Sequence, residues 1–346
     1  MHIRELSTPA LIIDATAFER NLASMAAVLP GRALRPHVKA HKCTSLAGAQ
    51  AVAGHRAFTC ATPRELVGMA AAGLGDDLLL ANETLDPTRL AVLAAAQAAA
   101  GVTIAIDSEA TLAAARAAGI RRVLIDVNVG MPRCGCLPEQ AGRLAGEARR
   151  AGIEVRGVMG YEGHLMMVAD RAEQRAEVDA AMALLLAAHA DVGGEIVSAG
   201  GTGTHDLHTV GPGGVTEIQA GSYALMDSQY STLGLPFAQA CYVVGTIVSV
   251  GTKHAVADVG LKALGMDHGN PMVAVRAGLD DPGSAADVWF CSDEHLTFTK
   301  VAGATVGERV FVTPAHIDPT MAMHDTAWLV RGDEVIDRWP IDLRGW

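Results

Sequence analysis

Residues 35–42, RPHVKAHK, hold the side chains best suited to covalent chemistry. The chain has only five lysines, and two of them, Lys39 and Lys42, lie here beside His37, His41 and the positive charge of Arg35. Nearby positive charge and partial burial both lower the pKa of a lysine, and an unprotonated amine can attack a carbonyl group. The segment therefore predicts a lysine nucleophile. A basic strand end in solvent is the alternative that spacing alone leaves open.

Two glycine-rich loops offer hydrogen-bond donors for an anion, SAGGTGT at 198–204 and AGSY at 220–223. Glycines let backbone N–H groups close on a phosphate, and hydroxyl groups add further donors. Each loop alone could be a tight turn, but the two together predict a phosphate site. The candidate donors are Thr202, Gly203, Thr204, Gly221, Ser222 and Tyr223.

Two more segments carry polar groups at the ends of predicted strands. DVNVGMPRCGC contains Arg133, which could bind a cofactor oxygen, and GYEGH contains Tyr161 and His164. Because imidazole titrates near neutral pH, His164 is a candidate general base. A helix cap or a solvated loop is the commoner role of a lone histidine, and it remains the alternative here.

The segment PAHIDPT places His316 and Asp318 two residues apart. In an extended strand such side chains point the same way, so an imidazole and a carboxylate could bind one divalent ion. SDEH, at 292–295, offers Asp293, Glu294 and His295 as rival or supporting ligands, or as ordinary turn residues.

Composition limits the class of protein. At 346 residues the chain exceeds the roughly 250–300 residues of a single core, which predicts two domains. The net charge of −11 argues against a nucleic-acid partner and favours a small molecule. Six scattered cysteines without a CxxC pair, no long apolar run and no basic-then-apolar leader predict reduced thiols, no membrane segment and a cytoplasmic location.

Short apolar runs alternate with alanine-rich amphipathic segments between residues 36 and 220, which predicts βαβ units and a (β/α)8 barrel. An open doubly wound sheet is less favoured because no GxGxxG follows the first run. In a barrel, strands end at the catalytic face, and phosphate binds after strands seven and eight, where the two glycine loops lie. The predicted strands are 36–40, 57–61, 77–81, 103–107, 122–126, 157–161, 196–199 and 217–220.

After about residue 236 the pattern changes to strand-like runs joined by Gly, Asp and Asn turns, with no helical period. This predicts a second, all-β domain that the N-terminal strand joins. The predicted domains are therefore a barrel at 15–236 and a β domain made of 1–14 and 237–346.

Read in order, these motifs resemble the D-threonine aldolase and D-serine dehydratase family, fold-type III pyridoxal-phosphate enzymes related to alanine racemase. The resemblance runs through RPHVKAHK, DVNVGMPRCGC, GYEGH, SAGGTGT, EIQAGSYALMD, DVGLKAL, SDEH and PAHIDPT. It implies a pyridoxal 5'-phosphate-binding TIM barrel, an all-β C-terminal domain and a head-to-tail homodimer. It also implies that Lys39 binds the cofactor covalently, Arg133 its phenolic oxygen and the glycine loops its phosphate, with Tyr161 close by.

The resemblance also bears on the metal. Dehydratases of the family carry His-x-Cys and favour zinc, whereas aldolases carry His-x-Asp and favour harder ions. Position 318 is Asp, so manganese or magnesium is expected rather than zinc, in line with the preference of hard ions for oxygen. Ala315 departs from the family, which often has Asn there.

We therefore expect a metal-dependent aldolase that cleaves a D-3-hydroxy amino acid to glycine and an aldehyde, in which Lys39 holds the cofactor and His164 takes the proton of the β-hydroxyl. One rival is a D-3-hydroxy amino acid dehydratase, in which Lys39 removes the α-proton. Another is a non-enzymatic pyridoxal-phosphate carrier, although carriers usually lack the second domain. A racemase is less favoured, because it would need a tyrosine of the β domain as the base on the opposite face of the substrate. The only tyrosine of that domain is Tyr242, at its start.

Overall fold

A computed structural model describes residues 1–346, which form seventeen strands and eight α-helices. The strands are β1 (Ala10–Asp14), β2 (Ala57–Cys60), β3 (Asp77–Leu80), β4 (Val102–Ile106), β5 (Arg122–Asp126), β6 (Glu154–Met159), β7 (Ile196–Ala199), β8 (Glu217–Ile218), β9 (Cys241–Val250), β10 (His254–Ala257), β11 (Met272–Val275), β12 (Ser284–Ala286), β13 (Val288–Cys291), β14 (Leu296–Thr299), β15 (Arg309–Thr313), β16 (Thr326–Arg331) and β17 (Glu334–Pro340). The helices are α1 (Ala15–Val28), α2 (Thr44–Val52), α3 (Pro63–Ala71), α4 (Pro87–Ala96), α5 (Glu109–Ala117), α6 (Pro138–Arg150), α7 (Arg171–Val192) and α8 (Ile317–Met323).

The chain divides into two compact units. The sheet unit contains Met1–Ser24, Ala40–Leu46 and Ser222–Asp342, and the barrel unit contains Met25–Lys39, Ala47–Gly221 and Leu343–Trp346. The main division falls between residues 221 and 222. The domain boundaries at 14/15 and 236/237 stay a prediction.

In the barrel unit, β2 to β8 form a parallel sheet in chain order. The segment before Lys39 pairs with both edges of this sheet, because Leu34 bridges Ile218 and His37 bridges Thr59. These bridges close the ring, and the (β/α)8 barrel is confirmed.

The predicted first strand, 36–40, is not a regular strand. Pro36 has no N–H to donate, pairing is limited to the two isolated bridges, and Val38–Ala40 form a 3-10 helix.

Sequence accounts for the regularity of the other elements. Every residue of β3 and β4 is buried, and all but Asp77 and Thr103 are apolar, as expected for a parallel sheet covered on both faces. Helices begin at side-chain caps, where Thr62 accepts the N–H of Glu65 and Asp170 accepts two N–H groups of α7. The barrel interior contains the cluster Leu79, Ala105, Leu124, Met159 and Ile196.

A buried charge network joins the N-terminal ends of several barrel strands. Asp77, the first residue of β3, accepts from Arg35 at 3.1 Å and from Arg156 at 2.7 Å. Arg35 also donates to Glu217, the first residue of β8, at 2.7 Å, and Arg156 to Glu195 at 3.0 Å. Burial opposes the charged form of Asp77, but the two arginines hold its pKa well below its usual range.

This network corrects one inference from the sequence. Arg35 was expected to add positive charge near Lys39, yet its guanidinium is fully buried and neutralised by Asp77 and Glu217. Its role is therefore structural, because its side chain links β3 to β8 across the irregular first segment.

In the sheet unit, strands run in the order β12-β11-β15-β9-β1-β16-β17, with β10, β13 and β14 branching from β9. β1 pairs antiparallel with β9 and parallel with β16, so the N-terminal strand joins this unit as predicted. Its core is the buried cluster Ile3, Leu6, Ala10, Ile12, Val244, Phe311 and Val330.

The sequence did not predict β12, β13 or the helix α8. The second domain is a sheet domain as expected, but α8 shows that it is not purely β. No helix of the protein combines the length and apolar character needed to span a membrane.

Replacing Asp77 with Asn should destabilise the protein by about 3–5 kcal/mol, because Arg35 and Arg156 would lose the buried carboxylate that they share and keep only Glu217 and the exposed Glu195. Chemical denaturation measures this change. The matched control is Asp76→Asn, since the Asp76–Arg56 pair is exposed and worth at most about 1 kcal/mol.

The depressed pKa of Asp77 also fixes the pH dependence of this contribution. It is fully present above the unfolded-state pKa of about 4 and is lost as pH falls below it. Equal stability of the two variants would contradict the role of the network.

Candidate active site

Lys39 lies in the short 3-10 helix that follows the last bridge of the barrel ring. Its side chain is half-buried, and its backbone N–H donates to His37 Nδ1 at 3.4 Å. The N–H of His37 in turn donates to the carbonyl of Ala220, which begins the second glycine loop. These two hydrogen bonds hold the backbone around Lys39, four residues after Arg35. Lys42 takes a left-handed φ of 49°, which marks a turn after this segment.

The first glycine loop is buried and tightly packed. A Cβ at Gly203 would lie 2.3 Å from the carbonyl oxygen of Met166, and one at Gly201 would lie 2.8 Å from the Met166 sulfur. Only glycine therefore allows the backbone to follow this path. Thr202 and Thr204 are buried within the same loop.

Buried Glu162 holds the first glycine loop by hydrogen bonds. Its carboxylate accepts from the Thr204 hydroxyl at 2.7 Å, from the Gly200 N–H at 3.2 Å and from His208 Nε2 at 2.9 Å. Burial would raise the pKa of Glu162, but the hydrogen bonds to His208 and Thr204 hold it below its ordinary value. The Thr204 hydroxyl therefore donates to Glu162 and helps to shape the loop. The sequence analysis did not predict this structural role of Glu162.

The second glycine loop ends in a turn of the sheet unit. Gly221 is the last residue of the long barrel segment, and Ser222–Ala224 form a 3-10 helix. The Tyr223 ring is fully buried and packs on Phe237 at 5.6 Å between centroids. The Ser222 hydroxyl lies 3.5 Å from Asp318 Oδ1.

Arg133, Tyr161 and His164 lie in the loops after β5 and β6. The guanidinium of Arg133 stacks over the Tyr161 ring at 5.2 Å. The exposed His164 ring packs against Gly130, where a Cβ would lie 3.1 Å from two ring atoms. Asn128 folds this loop by accepting the Gly130 N–H at 2.9 Å and donating to the carbonyl of Met131 at 2.9 Å. The barrel unit therefore brings all three predicted residues to neighbouring loops.

A carboxyl pair supports the same loops and was missed by the sequence analysis. Burial raises the pKa of Asp126 well above its ordinary value, the nearby Glu83 raises it further, and Arg133 lowers it. Within this pair, Asp126 therefore holds a proton more readily than an ordinary carboxyl group does. No local motif marks it, because Glu83 follows β3 and Asp126 ends β5.

His316 and Asp318 lie at the start of α8 in the sheet unit, not in an extended strand. His316 is the N-cap residue and Asp318 is in the first turn, so the expected strand geometry is wrong. The helix begins here because buried Asp227 accepts the Ile317 N–H at 3.1 Å. Burial raises the pKa of Asp227 to about 6.

The ligand atoms grouped most closely around His316 belong to Asp267 and His268, all within 4.8 Å of one another. The sequence analysis did not single out either residue. The proposed rivals Asp293 and Glu294 are exposed and pair with Lys262 at 3.7 and 3.0 Å.

Comparison with known proteins relates both parts of the chain to the same group of enzymes. Residues 13–229 match the alanine racemase N-terminal domain, and residues 240–330 match the putative serine dehydratase domain. The chain is 32% identical to a D-threonine aldolase of Arthrobacter sp, covering 99% of this chain and 94% of that protein. It is 30% identical to a 3-hydroxy-D-aspartate aldolase of Paracoccus denitrificans (strain Pd 1222), covering 99% and 93%.

The crystal structure of D-threonine aldolase from Filomicrobium marinum superposes with a TM-score of 0.89 at 33% identity, covering 99% of this chain and 96% of that one. Barrel, glycine loops and sheet domain together define a pyridoxal-phosphate enzyme of the alanine-racemase-like class. Within that class, the chain belongs to the D-threonine aldolase and D-serine dehydratase-like family of pyridoxal-phosphate-dependent lyases.

The residues present fit this cofactor. At Gly201 and Gly203 a Cβ would meet Met166, so glycine at both positions lets the loop backbone keep the compact course that a phosphate site made of backbone N–H groups requires. His316 and Asp318 at the start of α8 supply an imidazole and a carboxylate, ligand types that suit a divalent ion.

Replacing Glu162 with Gln should weaken cofactor binding, because a neutral amide loses charge-assisted bonds worth about 1.5–3 kcal/mol each and brings its own N–H₂ toward the Gly200 and Thr204 donors. The measurement is the dissociation constant of pyridoxal phosphate from fluorescence titration. Glu177→Gln, an exposed glutamate in α7, is the matched control. Unchanged affinity in Glu162→Gln would show that the carboxylate does not shape the loop.

Proposed function

We propose that this protein is a divalent-metal-dependent aldolase that cleaves D-3-hydroxy amino acids to glycine and an aldehyde. The observation that carries the proposal is at least 30% identity to two aldolases over 99% of the chain, both named for D-3-hydroxy amino acid substrates. Asp318 adds support, because a carboxylate ligand suits manganese or magnesium better than zinc. The further expectation of a cytoplasmic homodimer rests on composition and family resemblance.

When bound, pyridoxal phosphate accepts the electron pair released at Cα, and the ion polarises the substrate's β-hydroxyl. Lys39 would bind the cofactor covalently through its amine, and the backbone hydrogen bonds of Lys39 and His37 support the segment that carries it. Arg133, fixed by stacking on Tyr161, would bind the phenolic oxygen. The loop with Thr202, Gly203 and Thr204, and Gly221, Ser222 and Tyr223 of the second loop, would bind the phosphate.

His164 would take the proton from the β-hydroxyl, which allows the Cα–Cβ bond to break. Its ring is exposed on the loop after β6, so a substrate can approach it, and Gly130 supports its other side. His316 and Asp318 would bind the divalent ion.

A dehydratase that removes water and ammonia is the second candidate, favoured by the match of residues 240–330 to the serine dehydratase domain. In that reaction Lys39 would remove the α-proton and the ion would assist loss of hydroxide. The same match makes a non-catalytic carrier less favoured.

The protein incubated with D-threonine, 3-hydroxy-D-aspartate and D-phenylserine should release glycine and an aldehyde, with the reaction lost in EDTA and restored by Mn²⁺. Chromatography of the products separates the candidates. A 2-oxo acid with ammonia would establish the dehydratase, and an inert protein that still binds the cofactor would support the carrier.

Changing His164 to Ala should lower kcat by about 10²- to 10⁴-fold, the usual contribution of a general base, and leave the visible absorbance of bound cofactor unchanged.

Lys39→Ala should lose the absorbance of covalently bound cofactor, and Lys42→Ala should keep it. Full activity in His164→Ala would remove this residue from the mechanism, and a reversed lysine pattern would reassign the cofactor lysine.

A further inference from the structure

The loop 263–268 is fastened to the start of α8 within the sheet unit. Gly265 forms a β-bridge with His316, and its N–H donates to the Thr320 hydroxyl at 2.9 Å. That hydroxyl donates to the carbonyl of His316 at 2.7 Å. A Cβ at Gly265 would lie 2.3 Å from Pro319, so only glycine permits this approach. The loop therefore presents its next residues to His316 in a defined way.

The first group it presents is the carboxylate of Asp267. Its Oδ2 lies 2.7 Å from Nδ1 of His316. A histidine that binds a metal through one ring nitrogen commonly donates the other N–H to a carboxylate, which sets the tautomer and the ring orientation. Here that bond assigns the proton to Nδ1 and leaves the lone pair of Nε2 for an ion.

The second group is the His268 ring, which stacks on His316 with centroids 3.9 Å apart and planes 10° apart. Imidazole lone pairs lie in the ring plane, so two parallel rings cannot both point at one ion about 2.1 Å from each nitrogen. His268, Asp267 and His316 are close together, but they do not form a three-ligand site in this arrangement.

We propose that Asp267 is a positioning residue for the divalent ion, which acts through its hydrogen bond to Nδ1 of His316, and that His268 supports the ring by stacking without binding the ion. This inference rests on the proposed function, in which His316 is a metal ligand. It adds Asp267, a carboxylate outside the pair His316 and Asp318, as a residue that sets how strongly this pair binds its ion.

Manganese binding to the metal-stripped, cofactor-loaded protein tests the inference without relying on activity. The dissociation constant of Mn²⁺ is measured from the electron paramagnetic resonance signal of the free ion. Asp267→Ala should weaken binding by about 10- to 100-fold, the usual effect of removing such a partner. Asp267→Asn should lose less, because its amide oxygen can still accept the Nδ1 proton.

Two variants separate positioning from ligation and from net charge. His268→Phe keeps a stacking ring but has no nitrogen, so its Mn²⁺ affinity should stay within about twofold of the wild type if His268 only supports the ring. Asp287→Ala removes a carboxylate from an exposed position of the same unit and should also leave the affinity unchanged. Unchanged cofactor absorbance in every variant shows that the fold is intact.

Wild-type affinity in Asp267→Ala would overturn this inference and leave the proposed function standing. Loss of affinity in His268→Phe equal to that in Asp267→Ala would make His268 a ligand and overturn it as well. If the wild type itself had no saturable Mn²⁺ site, the metal dependence of the proposed function would fail together with the inference.

Discussion

The buried bonds of Arg35 to Asp77 and Glu217 are the interaction on which the barrel unit depends. The first barrel segment has no regular ladder, so two isolated bridges must close the ring. Arg35 supplements them by joining β3 to β8 through side chains. Lys39 follows only four residues later, and its position therefore depends on a salt-bridge network at the opposite ends of the strands. Such a network is costly to break because each lost partner leaves a buried charge.

Charged side chains are neutralised by different partners at the two ends of the barrel. At the N-terminal ends, carboxylates and guanidiniums neutralise one another and are closed to solvent. At the C-terminal ends, the carboxylate of Glu162 accepts hydrogen bonds from the glycine loop, and burial together with the nearby Glu83 raises the pKa of Asp126. The loops that follow the strands can therefore present neutral backbone and single cationic groups such as Arg133 to an anionic cofactor. This division matches the separation of stability and catalysis in barrels of this type.

Sequence predicts the features that are encoded locally and misses those that depend on distant partners. Seven barrel strands follow from buried apolar runs. Motifs single out Lys39 and the glycine loops, and their roles stay a prediction. Helix α8 was missed because its N-terminal N–H is capped by Asp227, ninety residues earlier. Glu162 lies inside GYEGH, but its partners Thr204 and His208 are 42 and 46 residues away. Arg35 was read as a cation for Lys39 because neither of its acidic partners is near in sequence.

The choice between cleavage and dehydration depends on which proton leaves, more than on the ion. A divalent ion on the β-hydroxyl lowers the pKa of that group, and it also makes hydroxide a better leaving group, so it serves either reaction. Cleavage needs a base for the hydroxyl proton, whereas dehydration needs a base for the α-proton. In the proposed aldolase the exposed His164 beside Gly130 would take the hydroxyl proton, and in the rival dehydratase Lys39 would take the α-proton. Because the ion would serve both reactions, the orientation that Asp267 would give to His316 bears on the binding of the ion and not on the choice between them.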